Sequence, residues 1–320
     1  MYLKGGMILL GIGKTHGKIF LMGEHAVVYH QPGITIPLIN LPTTVQVTTA
    51  QGSETYLNSQ YYQGPLSHSP IELKGIKALI ELLLQDLPIS KPLQIQITSE
   101  LPIERGMGSS AATGAAITKA MFNYAQVKLD YQQLLHYTDF SEKIIHGTPS
   151  GLDAITVNSQ QPIYFIKDQL TQPFSFSLPA YLVIIDSGIK GQTGAAVHDL
   201  RLLKQHNPQQ VTQQIQQLGT LTKQTYKLLK QPDVAGLGSL FQQAQTILQQ
   251  LKISNSFLDE LVDLANHAGA LGTKITGGGR GGCLIALAAN KTQAQKIAQA
   301  VKGSAHQVWI QALNNFDKDK

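Results

Sequence analysis

Cysteine is almost absent from this 320-residue chain: Cys283 stands alone. That excludes an internal disulfide framework and a zinc site built from cysteines. Charge is also scarce, with Asp, Glu, Lys and Arg supplying 14% of the residues against roughly a quarter in an average globular protein. No apolar run approaches the ~18 residues of a membrane span. The run from Met7 to Ile12 is shorter than the ~7–15-residue apolar core of a secretory signal, and no small-residue cleavage site follows it. The expectation is a cytoplasmic protein in a reducing compartment, with Met7 an alternative start to Met1. A basic stripe is missing as well. The net charge is +5, but Lys and Arg are scattered, and the Gln-dominated stretch from Pro208 to Leu221 contains neither. A nucleic-acid partner is therefore disfavoured, while an anionic small molecule is compatible with the charge.

What the chain does have is apolar content, 42% hydrophobic residues, and length for about two domains. Thr43 to Thr49 and Leu93 to Thr98 alternate apolar and polar residues, the period of a half-buried strand. Ile71 to Leu84 carries Ile76, Leu79, Ile80, Leu83 and Leu84 at helical spacing. An alanine-rich helix follows Ser109 and Ser110, with serine the expected N-cap, and runs to about Ala125. A second helix covers Tyr131 to Ile145 and stops at His146, Gly147, Thr148 and Pro149. Strands are predicted at Lys18 to Met22, Ile163 to Ile166 and Tyr181 to Asp186. From about Gly194 to Ala268 the pattern is helical, punctuated by Pro208, Pro232 and Gly236. The chain ends on strands at Leu284 to Leu287 and His306 to Ile310 around a helix from Lys291 to Val301.

Glycine marks three segments of chemical interest. Pro102-Ile103-Glu104-Arg105-Gly106-Met107-Gly108-Ser109-Ser110-Ala111-Ala112 sets turn-making glycines before a helix start, where free amides and the macrodipole favour an anion. A serine-capped glycine turn explains that segment about equally well. Thr276-Gly277-Gly278-Gly279-Arg280-Gly281-Gly282-Cys283 holds five glycines in six positions, too many for a hairpin and costly in backbone entropy. Close approach of a second segment or a ligand is the expected reason. In Gly17-Lys18-Ile19-Phe20-Leu21-Met22-Gly23-Glu24-His25-Ala26-Val27-Val28-Tyr29, a Lys sits inside an apolar strand, a rare place for one without a partner; an edge lysine facing water is the plainer alternative. Gly13-Lys14-Thr15 is not a P-loop, because Ile8 occupies the position of its first glycine. Gly11-Ile12-Gly13 is not a dinucleotide fingerprint either, since His16 replaces the third glycine.

Taken together and in register, the three segments resemble the GHMP kinase superfamily, which includes galactokinases, homoserine kinases, mevalonate kinases and phosphomevalonate kinases. Gly23 to Tyr29 and the stretch Glu142-Lys143-Ile144-Ile145-His146-Gly147-Thr148-Pro149-Ser150-Gly151-Leu152-Asp153 are similar to the mevalonate kinase branch. A galactokinase is expected to continue Gly-Glu-His with Thr-Asp. The resemblance implies an α+β, two-domain GHMP kinase fold. Its N-terminal ribosomal-protein-S5-like domain (residues 1–187) carries the phosphate loop and catalytic acid. Its C-terminal ferredoxin-like α/β domain (188–320) carries the glycine-rich loop, and ATP lies between the two. The implied reaction is ATP- and Mg²⁺-dependent phosphorylation of mevalonate in isoprenoid biosynthesis. Another GHMP small-molecule kinase, such as phosphomevalonate kinase, and a non-catalytic sensor on the same fold are the alternatives.

The resemblance also implies residue roles. Asp153 is the base for the substrate hydroxyl, with Lys18 beside it. Glu104, Arg105, Gly106, Met107, Gly108, Ser109 and Ser110 form the ATP phosphate loop. Ser110 and Glu142 hold Mg²⁺, and Glu24 and His25 lie near mevalonate. The roles suit the chemistry: phosphoryl transfer needs positioning and charge neutralisation, and Mg²⁺ takes oxygen ligands shared with phosphates. A lysine favours an ionised carboxylate and a developing alkoxide. His146 is read as a helix-end group and Cys283 as a small buried residue. Family members are often homodimers, though nothing in the sequence marks an interface. Glu104-Arg105 and Arg280 depart from the small residues usual at those positions. Arg280 is either a phosphate contact or a solvated surface arginine.

Overall fold

The structure is a computed structural model that describes residues 9–147, 150–314 and 316. Met1, Met7, Thr148 and Pro149, which bear on the alternative start and the second helix stop, lie outside the described residues. The chain forms two compact units interleaved in sequence. Unit 1 gathers Met1–Gly17, Leu38–Pro102 and Gly108–Asn158; unit 2 gathers Lys18–Pro37, Ile103–Met107 and Ser159–Lys320. Strands β1 (Gly11–Met22) and β2 (Gly33–Thr49) each give residues to both units.

In unit 1, β2 pairs antiparallel with β5 (Leu93–Ser99), which pairs parallel with β3 (Tyr56–Asn58); β3 in turn pairs with β4 (Gln63–Pro65). The alternation read from the sequence is realised: Val45, Val47, Leu93, Ile95 and Ile97 are buried and their polar neighbours are more exposed. These residues share a core with α1 (Lys74–Asp86) through Leu79, Ile80 and Leu83. The helical pattern that begins at Ile71 opens as a 3-10 turn, Ile71–Leu73, immediately after Pro70. Helix α2 (Ser109–Tyr124) is buried along most of its length. Helix α3 (Tyr131–His146) starts on a full capping box, in which Asp130 accepts from the Gln133 amide and Gln133 accepts from the Asp130 amide. A short helix α4 (Leu152–Thr156) completes the unit.

The early glycines, unsuited to any nucleotide motif, have a packing role. Gly11 and Gly13 face α2 so closely that a Cβ on Gly11 would lie 2.1 Å from the Ala120 carbonyl oxygen. One on Gly13 would lie 1.9 Å from that of Ala116. The alanine content of α2 thus serves a strand–helix contact made largely of backbone atoms. Thr15 extends it by donating to the Ala112 carbonyl at 2.7 Å.

In unit 2, β6 (Ile163–Ile166) pairs with the start of β2 and with β7 (Leu170–Pro173). A separate four-stranded antiparallel sheet contains β8 (Tyr181–Asp186), β9 (Gly272–Thr276), β10 (Cys283–Ala288) and β11 (Gln307–Ala312) in the order β11-β8-β10-β9. Fourth, first, third, second is the ferredoxin-like order, and its first strand, β8, precedes residue 188, where the C-terminal domain was expected to begin. The helical, Gln-rich stretch resolves into α5 (Thr193–His206), α6 (Pro208–Lys230), α7 (Val234–Gln250) and α8 (Ser256–His267). Asp233 and Asn255 cap α7 and α8 with side-chain oxygens. Helix α9 (Lys291–Val301), capped by Asn290, packs against β8, β10 and β11.

Gly13→Ala is expected to lower unfolding stability by about 2–3 kcal/mol, the cost of forcing volume into a closed contact. Gly52→Ala, where an added Cβ meets nothing within 4 Å, should change it by less than about 0.5 kcal/mol. Urea titration of the two variants checks the contrast.

Candidate active site

The phosphate-loop segment turns on residues with positive φ: Glu104 (58°), Gly106 (77°) and Gly108 (72°). Gly108 is the N-cap of α2 and has no side chain to cap with. The sequence expectation of a serine cap is therefore corrected: Ser109 and Ser110 are the first helical residues, and the N-cap position itself supplies no side-chain cap. A helix start of this kind presents backbone amides and the positive end of the helix dipole. The loop is tied to β1, since the Lys18 amide donates to the Met107 carbonyl at 2.9 Å. Lys18 does not face water as an edge lysine would. It is buried, with its ammonium 4.8 Å from the centre of the Phe20 ring.

The second glycine segment joins β9 to β10 and packs onto the first. A Cβ on Gly277 would meet the Gly106 Cα at 3.4 Å, and one on Gly106 would meet the Thr276 carbonyl at 3.5 Å. Gly279, Gly281 and Gly282 press on the backbones of Ile253, Lys190 and Arg105, leaving under 3 Å for any added Cβ. The glycine run therefore exists for close approach of other chain segments, as its density implied. Thr276 Oγ1 donates to the Phe20 carbonyl at 2.8 Å, fastening the loop's base to β1.

Glu24 and His25 lie in the same unit, directly against this loop. His25 Nε2 is 3.0 Å from the Gly278 carbonyl. Burial pulls the His25 pKa down to about 4, with the Gly278 bond opposing and Arg280 adding to the fall. The ring is neutral at pH 7. Glu24 pairs with Lys274, whose Nζ also donates to the Ile275 carbonyl at 2.7 Å. Both side chains are fully buried. Burial pushes the Glu24 carboxyl up and the Lys274 ammonium down, and each partner's charge resists the other's shift. Lys274 was not singled out from sequence. Its position inside β9 was the available signal, the same kind that marked Lys18.

In unit 1, Glu142 sits on α3, buried, with His146 one turn on at 3.7 Å. The α2–α3 contact places Gly114 against Ser141, the neighbour of Glu142. Ser110 lies one turn before Gly114 on α2, hence on the same face. Asp153 is the second residue of α4, whose N-cap is Gly151 at φ 77°, so Asp153 is not a helix cap. Among the described residues, no group of three or more His, Cys, Asp and Glu side chains is placed to hold a metal by itself. Ser110 and Glu142 would offer one hydroxyl and one carboxylate, an all-oxygen pair. It fits Mg²⁺ shared with nucleotide phosphates and would not suit a softer metal.

The residues that depart from the family pattern are all engaged. Arg105 Nε stands 2.9 Å from Asp186 Oδ1, and Arg105 also donates to the Gly188 carbonyl at 2.9 Å. Glu104 pairs with Lys190 at 2.7 Å. Arg280 is held at a partly exposed position: its guanidinium pairs with Asp199 and donates to the Lys252 carbonyl. Cys283 is buried beside Asp186, and burial followed by that carboxylate pushes its thiol well up.

Residues 74–159 match the family model for the GHMP kinases N terminal domain, and residues 225–306 match that for the GHMP kinases C terminal domain. The chain belongs to the GHMP kinase family. A mevalonate kinase from Pyrococcus horikoshii is 26% identical over 92% of this GHMP kinase and 93% of its own length. A crystal structure of mevalonate kinase from methicillin-resistant Staphylococcus aureus MRSA252 is 28% identical, with TM-score 0.75 over 95% of this chain and 99% of that one. The L. major mevalonate kinase in complex with R-mevalonate is 25% identical, with TM-score 0.82 over 97% of each chain.

His25 gives this kinase a defined acid sensitivity. Below the ordinary histidine pKa of 6.5 the unfolded chain takes up a proton that the folded ring refuses until about pH 4. Stability therefore falls as pH drops through that window, by up to about 3 kcal/mol. In urea titrations from pH 7 to pH 4, His25→Gln is expected to flatten this loss.

Proposed function

We propose that this GHMP kinase transfers the γ-phosphoryl group of ATP to the 5-hydroxyl of mevalonate, a step of isoprenoid biosynthesis. The observation that carries the reading is the meeting of the two glycine loops in one unit, with Lys18, Glu24 and His25 beside them. That arrangement offers backbone amides to phosphates and sets a buried cation and a neutral imidazole nearby. The choice of mevalonate is supported by the likeness, over 97% of each chain, to a structure that holds R-mevalonate.

In this reading Gly106 to Ser110, with Glu104 and Arg105 leading in, cradle the ATP phosphates, and residues 188–320 bring the last glycine loop. Ser110 and Glu142 would hold Mg²⁺, which neutralises charge on the phosphate oxygens. Asp153, from the 1–187 segment, accepts the proton of the attacking hydroxyl. A new P–O bond forms to that oxygen as the bond from the γ-phosphorus to the bridging oxygen breaks, and ADP leaves. Lys18 stabilises the developing alkoxide. Glu24 and His25 contact mevalonate, the neutral His25 ring giving a hydrogen bond without a charge. Cytoplasmic residence, expected from the sequence, and a homodimer, implied by the family resemblance, belong to the same reading.

ADP release measured with a panel of alcohols tests the assignment. Mevalonate is expected to be the best acceptor. A preference for phosphomevalonate would move the enzyme to the neighbouring activity, and no ADP release with any acceptor would favour a sensor. Asp153→Asn is expected to cut kcat by about 10²–10⁴ with ATP binding retained; near-normal turnover would remove Asp153 from the base role. Glu142→Gln should raise the Mg²⁺ concentration needed for half-maximal rate, and an unchanged Mg²⁺ titration would exclude Glu142 as a ligand.

A further inference from the structure

We infer that Arg105 is a positioning residue that shapes the phosphate loop from below, by clamping it to the connector between β8 and α5. The connector begins at Asp186, the last residue of β8, and runs through Ser187, Gly188, Ile189 and Lys190 to Gly191. Asp186 is fully buried, and its Oδ1 accepts the Gly188 amide at 2.9 Å while facing Arg105 Nε. One carboxylate oxygen thus holds both the connector's turn and the guanidinium. Arg105 returns a bond to the Gly188 carbonyl at 2.9 Å and another to its own neighbour, the Ile103 carbonyl at 3.3 Å. The backbone completes the joint, with the Gly191 amide donating to the Glu104 carbonyl at 2.8 Å.

The far side of the same connector is bound to the other glycine loop. The Ser187 amide donates to the Gly282 carbonyl, and the Gly282 amide donates to the Ile189 carbonyl. Gly282 also lies under the Arg105 backbone, where a Cβ would come within 2.9 Å of the Arg105 carbonyl oxygen. Asp186–Gly191 is therefore laced to both loops, and Arg105 is the side chain that closes the lacing. Its guanidinium pairs with Asp186 and donates to the Gly188 and Ile103 carbonyls, and it acts through the shape of Gly106 to Ser110. Only a planar fork spans Asp186, Gly188 and Ile103 at once. Lysine at position 105 would keep the charge and lose the geometry.

The inference rests on the kinase reading only for its nucleotide assay, so a second measurement is independent of nucleotide. The variants are Arg105→Lys, Arg105→Met, Asp186→Asn and the double variant Arg105→Met/Asp186→Asn. Each is read by binding of a non-hydrolysable ATP analogue with Mg²⁺, by KM for ATP against KM for mevalonate, and by hydrogen exchange of the 103–112 peptide. Arg105→Met leaves a buried carboxylate without its partner and is expected to lose stability; the neutral double variant should recover most of it. If Arg105→Met does not fold, Arg105→Lys and the double variant carry the test.

The expected result is a roughly tenfold weakening of the analogue, about 1.4 kcal/mol, in Arg105→Lys and in the double variant. KM for mevalonate should move less than about twofold, and exchange of the 103–112 peptide should quicken. A purely structural pair predicts instead that the double variant regains analogue binding together with stability, and that outcome would overturn the inference. So would unchanged exchange at 103–112 in folded Arg105→Lys. If the wild-type chain binds no analogue, the kinase reading fails and the exchange measurement alone decides the clamp.

Discussion

Two stretches of polypeptide approach one another at Gly106 and Gly277 with no side chain between them. That contact constrains much of unit 2. Both glycines have positive φ, 77° and 81°, a backbone that disfavours side chains, while the closed contacts of Gly278, Gly279, Gly281 and Gly282 account for the density of glycine after Thr276. The contact also needs support, because flexible residues do not hold a loop by themselves. Support comes from every side: the Lys18 amide on Met107, Thr276 on Phe20, His25 on Gly278, and the connector Asp186–Gly191 woven through both loops. The region is rich in glycine and yet cross-braced. That is the condition for a backbone cradle that keeps its shape before a ligand arrives.

The buried pair of Glu24 and Lys274 belongs to this bracing. A fully buried ion pair is weak evidence of stability, since its desolvation cost rivals its attraction. Its value here is directional. It fixes the residue just before His25 to the strand just before the last glycine loop, so two elements distant in sequence share one orientation. The neutral state of His25 follows from the same dryness. A histidine buried among these groups donates or accepts hydrogen bonds without adding a third charge to a space that already contains Lys18 and Arg280.

Much of the fold was legible because its strands and helices carry clear periods. The alternation in β2 and β5, the apolar stripe of α1, the alanines of α2 and the breaks at Pro208 and Pro232 each reflect a local rule that tertiary packing did not override. The candidate site was marked by motif spacing, and the two glycine segments so marked meet in unit 2 beside Lys18, Glu24 and His25. What stayed hidden depended on contacts distant in sequence. No local pattern shows that Gly11 and Gly13 meet α2, that β1 and β2 give residues to two units, or that Lys274 faces Glu24. The serine cap failed for a specific reason. Serine is a good cap on average, but Gly108 takes the left-handed conformation at that position and pushes both serines into the helix. Arg105 and Arg280 were visible as departures from the pattern, but their partners Asp186 and Asp199 lie far along the chain.

The strand–helix contact at Gly11 and Gly13 makes β1 a ruler. Its notches are the bare Cα atoms of two glycines set against helix backbone, so any added side chain closes them. The pleat advances two residues at a time, and Lys18 is reached by counting from those notches. Inserting or deleting a single residue between Gly13 and Lys18 would turn the lysine to the opposite face of the strand. In this stretch the chain is held to its length as well as to its two glycines.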